Sequence, residues 1–182
     1  MAGAGRSRKV SHLADVAANA AMRCACVPRN DGHPDQNRAA NTMPRSCNTL
    51  TLSDAKRMLE AGEAKAAALG IAYNIAVVDG GGALVAFMRQ DGALIGSIDL
   101  AIGKAMTARL FDKTTAYLAE LAQPGAPLFG IAQSNHGRVV IFGGGLPVRI
   151  DGAIVGAVGA SAGSVEQDIA VAEAAADAVS DT

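Results

Sequence analysis

The sequence predicts an α+β fold, in which one antiparallel sheet of about five strands is flanked by helices. Glycine turns between apolar stretches favour hairpins, and hairpins pair their strands antiparallel. The predicted elements lack the β-α-β alternation of parallel sheets. The chain has 182 residues, of which 50% are hydrophobic, enough for one core. We therefore expect a single α-β-α domain.

Charge and composition place the domain boundary near residue 48. Residues 1–48 carry seven basic and three acidic side chains, whereas residues 49–182 carry nine basic and fourteen acidic ones. The first part also contains VPRNDGHPDQNRAANTMPR, which is rich in helix and strand breakers. We predict a disordered arm over 1–48 and a folded domain over 49–182. The arm either is an Arg-rich targeting segment or includes residues 1–42 upstream of a translation start at Met43, which we favour.

Composition excludes several classes of function. The net charge of −1 and the absence of Trp argue against nucleic-acid binding, and no apolar run is long enough for a membrane span. The three cysteines, at 24, 26 and 47, make no disulfide framework, and with His33 they match no common zinc spacing. These features predict a cytoplasmic protein without nucleic-acid or membrane partners.

The first half of the domain has well-marked ends. A capping box at Thr51–Asp54 and a stop at Gly70 predict a helix over 52–69. Three glycines at 80–82 separate two apolar stretches and supply the positive φ angles of a hairpin. Ser97 is the predicted N-cap of the next helix. The elements predicted after the first helix are strands 71–79 and 83–89, a helix from 97 to about 111 and a short helix over 114–121.

The second half is predicted from turns and breakers. Two prolines and a glycine at 123–127 predict a loop. Asp151-Gly152 is a strong signal for a two-residue hairpin. The elements predicted here are strands 138–142, 147–150 and 153–160, and a final helix over 165–179.

Ser161 lies in GASAG, residues 159–163, which fits the G-x-S-x-G pattern of a serine nucleophile. The hydrolases that use it have a parallel sheet, with the histidine after the serine. Here the predicted sheet is antiparallel, and all three histidines, at 12, 33 and 136, precede Ser161. We interpret Ser161 as a small residue in a turn, where N–H groups at the helix start could bind an anion.

Several motifs in this order resemble the GlcG/HbpS family, which includes the C-terminal domain of PduO proteins. They are VVDGGG, RQDGA, GSID and KAMTA in the first half, and GGGLP, DGAIVGAVG and EQD in the second. The resemblance covers about residues 50–180. It implies a profilin-like α-β-α domain that self-associates, with haem or corrinoid-related roles and a link to catabolic operons. The chain has Ser161-Ala162-Gly163 where relatives often have Ser-Gly-Gly.

The segment SNHGR, residues 134–138, is the main candidate site, because it contains the only histidine of the predicted domain. His136 could be an axial ligand of haem iron or a general acid/base. Its neighbours Asn135 and Arg138 add an amide and a guanidinium. The alternative is a surface or hydrogen-bonded histidine without a functional role.

Four further residues complete the candidate site. Lys104 could bind a carboxylate or propionate, or lie on a solvated helix face, which is the favoured alternative. Arg109 lies about 140° around the same predicted helix from Lys104. Gly144 and Gly145 could let a ligand approach the backbone, or mark a bend in a strand.

Two functions follow from these candidates. The first is a homo-oligomeric protein that binds haem or another small molecule, in which His136 is the metal ligand and Lys104, Arg109 or Arg138 pairs with acidic groups of the ligand. The second is a catabolic lyase or isomerase acting on a small carboxylate, with His136 as acid/base.

Overall fold

The structure is a computed structural model that describes residues 47–180. Nearly all of the arm predicted over 1–48 lies outside these residues and stays a prediction. In the described part, the elements in chain order are α1 (Leu52–Leu69), β1 (Asn74–Asp79), β2 (Leu84–Arg89), α2 (Ser97–Phe111), α3 (Thr115–Leu121), a 3-10 turn (Ile131–Gln133), a four-residue turn (Ser134–Gly137), β3 (Gly145–Ile150), β4 (Ala153–Ser161) and α4 (Val165–Asp177).

The sheet has four strands in the order β2-β1-β4-β3, and every neighbouring pair is antiparallel. The predicted α+β class is therefore confirmed, and the count of about five strands is one too high. The strand predicted over 138–142 is wrong, because these residues lie outside the sheet. The N–H of Val140 donates instead to the hydroxyl of Thr107 on α2, 3.0 Å away.

The two faces of the sheet carry different cores. On one face α1 and α4 pack against the larger side chains of the sheet, and Met58 of α1, Ile75 of β1 and Val171 of α4 are fully buried. On the other face α2 presents mostly alanines. A Cβ on Gly159 of β4 would lie 2.1 Å from the carbonyl oxygen of Ala101, so only glycine allows α2 to approach this closely. The layers are helix, sheet and helix, as predicted.

The helix ends follow the sequence signals at α1 and α4 but not at α2. Thr51 and Ser164 both form reciprocal capping boxes, and Gly70 ends α1 at a φ of 68°. The predicted N-cap role of Ser97 is wrong: Gly96 is the N-cap of α2, without a side-chain cap, and Ser97 is buried as the first helical residue. Among the described residues, no helix has the length and apolar character needed to span a membrane.

Candidate functional site

His136 lies on the four-residue turn Ser134–Gly137, which we call the His136 turn. Asn135, His136 and Gly137 have φ angles of 53°, 60° and 73°, so three successive residues are left-handed. Gly adopts this conformation freely, whereas Asn and His do so at a cost in free energy, although more readily than most side chains. The turn presents the imidazole at the surface, where it has no hydrogen-bond partner among the residues that the structure describes.

The His136 turn forms one wall of an open depression along α2, which we call the α2 groove. It consists of two clefts of about 280 and 510 Å³ that share Met106 and Arg138. The other residues of the smaller cleft are Thr107, Leu110, Asn135, His136 and Val139. The larger cleft continues along Asp99, Leu100, Ile102, Gly103, Gly137 and Val140.

The α2 groove combines an apolar wall with a few polar groups. Ile102, Met106 and Leu110 of α2 supply apolar contact area, and the imidazole and guanidinium of His136 and Arg138 lie across from them. An imidazole can ligate a metal ion or move a proton, and a guanidinium can pair with a carboxylate in two-point fashion. This arrangement suits a largely apolar ligand with an acidic group. The acid/base role of His136 stays a prediction.

Lys104 is not in the α2 groove, and the favoured interpretation of a solvated lysine is wrong. Its side chain is fully buried on the sheet side of α2. The ammonium donates to Asp168 Oδ2 at 2.5 Å and to the carbonyl oxygen of Ala160 at 3.0 Å, and lies 4.8 Å from the centre of the Phe142 ring. Burial lowers the pKa of Lys104 more than the ion pair with Asp168 raises it.

Asp168 is a residue that the sequence analysis missed. Its Oδ1 accepts hydrogen bonds from the N–H groups of Ala162 and Gly163, both at 3.0 Å, while Oδ2 binds Lys104. The turn that was expected to offer N–H groups to an anion therefore holds a carboxylate of this chain. Tyr73 is buried beside it, and its pKa is raised by burial and by the negative charge of Asp168. An acidic residue among apolar neighbours in the first turns of α4 was the available signal.

The other predicted site residues lie apart from His136. Arg109 pairs with Asp112 Oδ1 at 2.5 Å. Gly144 and Gly145 are buried against their own chain, where the oxygen of Gly144 accepts from the N–H of Ala160 and the N–H of Gly145 donates to the Thr115 hydroxyl. Thus the structure brings together Asn135, His136 and Arg138 but not the remaining candidates, whose binding roles stay predictions.

Two further expectations from the sequence concern Ser161 as a nucleophile and the binding of a metal ion. Ser161 is the last residue of β4 rather than part of the turn before α4, and it is buried opposite Asn74 of β1 in an antiparallel sheet. The serine nucleophile of those hydrolases instead lies exposed on a turn after a strand of a parallel sheet. Within residues 47–180, no group of three or more His, Cys, Asp or Glu side chains is placed to hold a metal ion. Any metal bound by His136 would need other ligands, such as those of a porphyrin.

Comparison with known proteins confirms the resemblance drawn from the motifs. The family model described as "Haem degrading protein HbpS-like" matches residues 50–177. An uncharacterised 15.0 kDa protein from the dhaT-dhaS intergenic region of Citrobacter freundii is 44% identical over 133 residues, which are 73% of this chain and 94% of that protein. The corrinoid adenosyltransferase PduO of Salmonella typhimurium is 36% identical over 130 residues, 71% of this chain but only 39% of PduO.

A solved structure of a relative has the same fold as this chain. The crystal structure of a PduOC–haem complex superposes with a TM-score of 0.69 at 36% identity, and the match covers 71% of this chain and 94% of the other. The similarity therefore spans α1 to α4 and leaves the arm outside. With a family model that matches 50–177 and relatives above 30% identity, this chain belongs to the HbpS-like family.

Proposed function

We propose that this protein binds haem in the α2 groove, with His136 as an axial ligand of the iron. The observation that carries the proposal is the exposed imidazole of His136, which has no partner in the described part of the chain and borders an apolar cleft. Two comparisons support it: the PduOC relative was solved as a haem complex, and the family is described by haem degradation.

The residues of the groove fit the chemistry of haem. The porphyrin has apolar faces, for which Ile102, Met106 and Leu110 provide contact area. Its propionates are anionic, and Arg138 borders both clefts, where its guanidinium can pair with one of them. When bound, haem would supply iron chemistry such as electron transfer or the binding of small gaseous ligands, tuned by the axial ligand. The chain's own part is to hold the ring, orient it and provide the imidazole.

Haem titration into matched variants tests the axial ligand. We would first replace His12 and His33 with alanine, because histidines in the arm could bind haem on their own. In this background His136 is the sole histidine. We expect a shifted Soret band with a histidine-ligated electron paramagnetic resonance spectrum, and the loss of both on His136→Ala. An unchanged spectrum in that variant, or thiolate ligation by Cys47, would remove the proposed role of His136.

The role of Arg138 has a separate test. If its guanidinium pairs with a propionate, Arg138→Gln weakens the binding of haem by about 3- to 10-fold, as for an exposed charge-assisted contact. The same substitution leaves the affinity for haem dimethyl ester unchanged, because the ester lacks the negative charge. Equal losses for both ligands would assign Arg138 to packing.

We also propose that the protein forms a homo-oligomer in the cytoplasm, with a link to a catabolic pathway. Support for self-association comes from large apolar side chains at the surface: Leu94 is 62% exposed, Ile95 74% and Phe129 68%. Light scattering coupled to size-exclusion chromatography should give at least a dimer at micromolar concentration. A monomer at all concentrations would contradict this proposal.

A further inference from the structure

The chain after the His136 turn runs along α2 as a strap, which we define as residues Arg138–Phe142. The strap lies outside the sheet, so it lacks the hydrogen-bond ladder that fixes a strand. Its N–H at Val140 donates to the hydroxyl of Thr107, at 3.0 Å. The strap also packs closely against α2 at Gly103, where a Cβ would lie 2.7 Å from Cγ2 of Val140. These contacts fix the middle of the strap.

The end of the strap is fixed differently, through Phe142. The centre of its ring lies 4.8 Å from the ammonium of Lys104. A cation over an aromatic face is attracted to it, and the attraction is stronger when the cation is withdrawn from water. Lys104 is fully buried, whereas Phe142 is 39% exposed, so the ring covers the ammonium from the solvent side.

The ammonium of Lys104 beside Phe142 is held by hydrogen bonds and an ion pair. Lys104 is held by the carboxylate of Asp168 and by the carbonyl of Ala160 at the end of β4. Asp168 is itself held by the N–H groups of Ala162 and Gly163. The ring of Phe142 therefore contacts a group that the sheet and α4 hold in place. This contact fixes the end of the strap, which itself lies outside the sheet.

We propose that Phe142 is a positioning residue of the α2 groove, whose contact with Lys104 clamps the strap so that Arg138 and His136 keep their place along α2. The inference rests on the proposed function for the identity of its ligand, haem. An attraction of this kind corresponds to a factor of about 2 to 30 in an equilibrium constant. Loss of this contact first increases the opening of the strap. It then weakens the binding of a ligand held between the strap and α2.

The first test needs no ligand and follows amide hydrogen exchange at Val140 in the full chain. In Phe142→Leu we expect this amide to exchange about 2 to 30 times faster, while Phe142→Tyr, which keeps the ring, exchanges like the parent. The amide of Val158 in the middle of β4 reports global opening, which also breaks the clamp, so its exchange should rise by no more than the same factor. Exchange at Val140 that stays faster than at Val158 in every variant shows that the strap opens locally. Tyr117→Leu is the matched control, because it removes an exposed ring that lies 5.5 Å from the ammonium of Lys113, outside the strap and the groove lining.

The second test measures haem affinity in the same variants. Phe142→Leu should weaken haem binding by a factor within the same range, with Phe142→Tyr and Tyr117→Leu at the parent value. Unchanged exchange at Val140 in Phe142→Leu overturns the clamp, and faster exchange with unchanged haem affinity overturns its role in the groove. If the parent protein binds no haem, the proposed function fails by itself, and the exchange result alone decides whether Phe142 clamps the strap.

Discussion

Lys104 on α2 and His136 on the turn beside this helix differ in almost every physical respect. Lys104 is fully buried and bound to a carboxylate, a carbonyl and an aromatic ring. His136 is exposed, lies in a left-handed turn and has no hydrogen-bond partner among the described residues. A charge is tolerated in the interior only when every partner is in place, whereas a solvated group is free to bind something else. The first region therefore serves stability and the second is available for function.

The strongest test of this difference is to remove the buried charge. Lys104→Met keeps most of the side-chain volume but leaves the carboxylate of Asp168 without its cation in the interior. We expect a loss of about 3–5 kcal/mol in the free energy of unfolding, the usual result of breaking a buried pair. Urea denaturation followed by circular dichroism measures it.

A matched double variant separates the lost pair from lost packing. In Lys104→Met/Asp168→Asn neither charge remains, and the asparagine oxygen can still accept from Ala162 and Gly163. We expect this variant to be more stable than Lys104→Met alone, since no unpaired charge is buried. A double variant that is less stable than the single one would show that packing, not the ion pair, dominates at Lys104.

The sequence predicted best what depends on neighbours in the chain. The capping box at Thr51 and the helix stop at Gly70 appear as expected, because their residues are at most a few positions from the helix ends that they mark. The burial of Lys104 was missed, since its partner Asp168 is 64 residues away. A lysine among alanines on a helix gives the same pattern whether its head group meets water or a distant carboxylate.

The candidate site was predictable in part for the same reason. Asn135, His136 and Arg138 are adjacent in sequence, so recognising one of them located the others. The error at 138–142 has a physical cause. Its β-branched residues favour a strand, but the N–H of Val140 binds Thr107 and the edge of the sheet is formed by β3. Only tertiary contacts decide between these two outcomes.

The ion pair of Asp54 and Arg57 on α1 lies at the surface, in contrast to the buried pair of Lys104 and Asp168. Asp54 accepts hydrogen bonds from the side chain and backbone of Thr51 and from Arg57, which lower its pKa from 3.8 to about 2. Because these groups remain close to water, Asp54→Asn should cost only about 1 kcal/mol at pH 7, as for a helix cap. This is well below the loss expected for Lys104→Met.

The pH dependence of the Asp54 contribution has a definite sign. The folded chain releases this proton more readily than the unfolded chain, so the stabilisation is complete above the unfolded pKa near 3.8 and is lost as the pH falls towards about 2. The stability difference between the parent and Asp54→Asn should therefore shrink between pH 5 and pH 3 in urea titrations. A difference that stays constant over this range would mean that the carboxylate charge at Asp54 contributes nothing to α1.

The smallest effect on stability is expected at the residue with the most direct functional role. The imidazole of His136 is exposed and makes no hydrogen bond to the described residues, so its removal breaks no such bond within them. His136→Ala should change the free energy of unfolding by less than about 0.5 kcal/mol, as at other surface positions. A loss above 1 kcal/mol would show that His136 is held by the fold, and the division between a stabilising Lys104 and a ligand-binding His136 would fail.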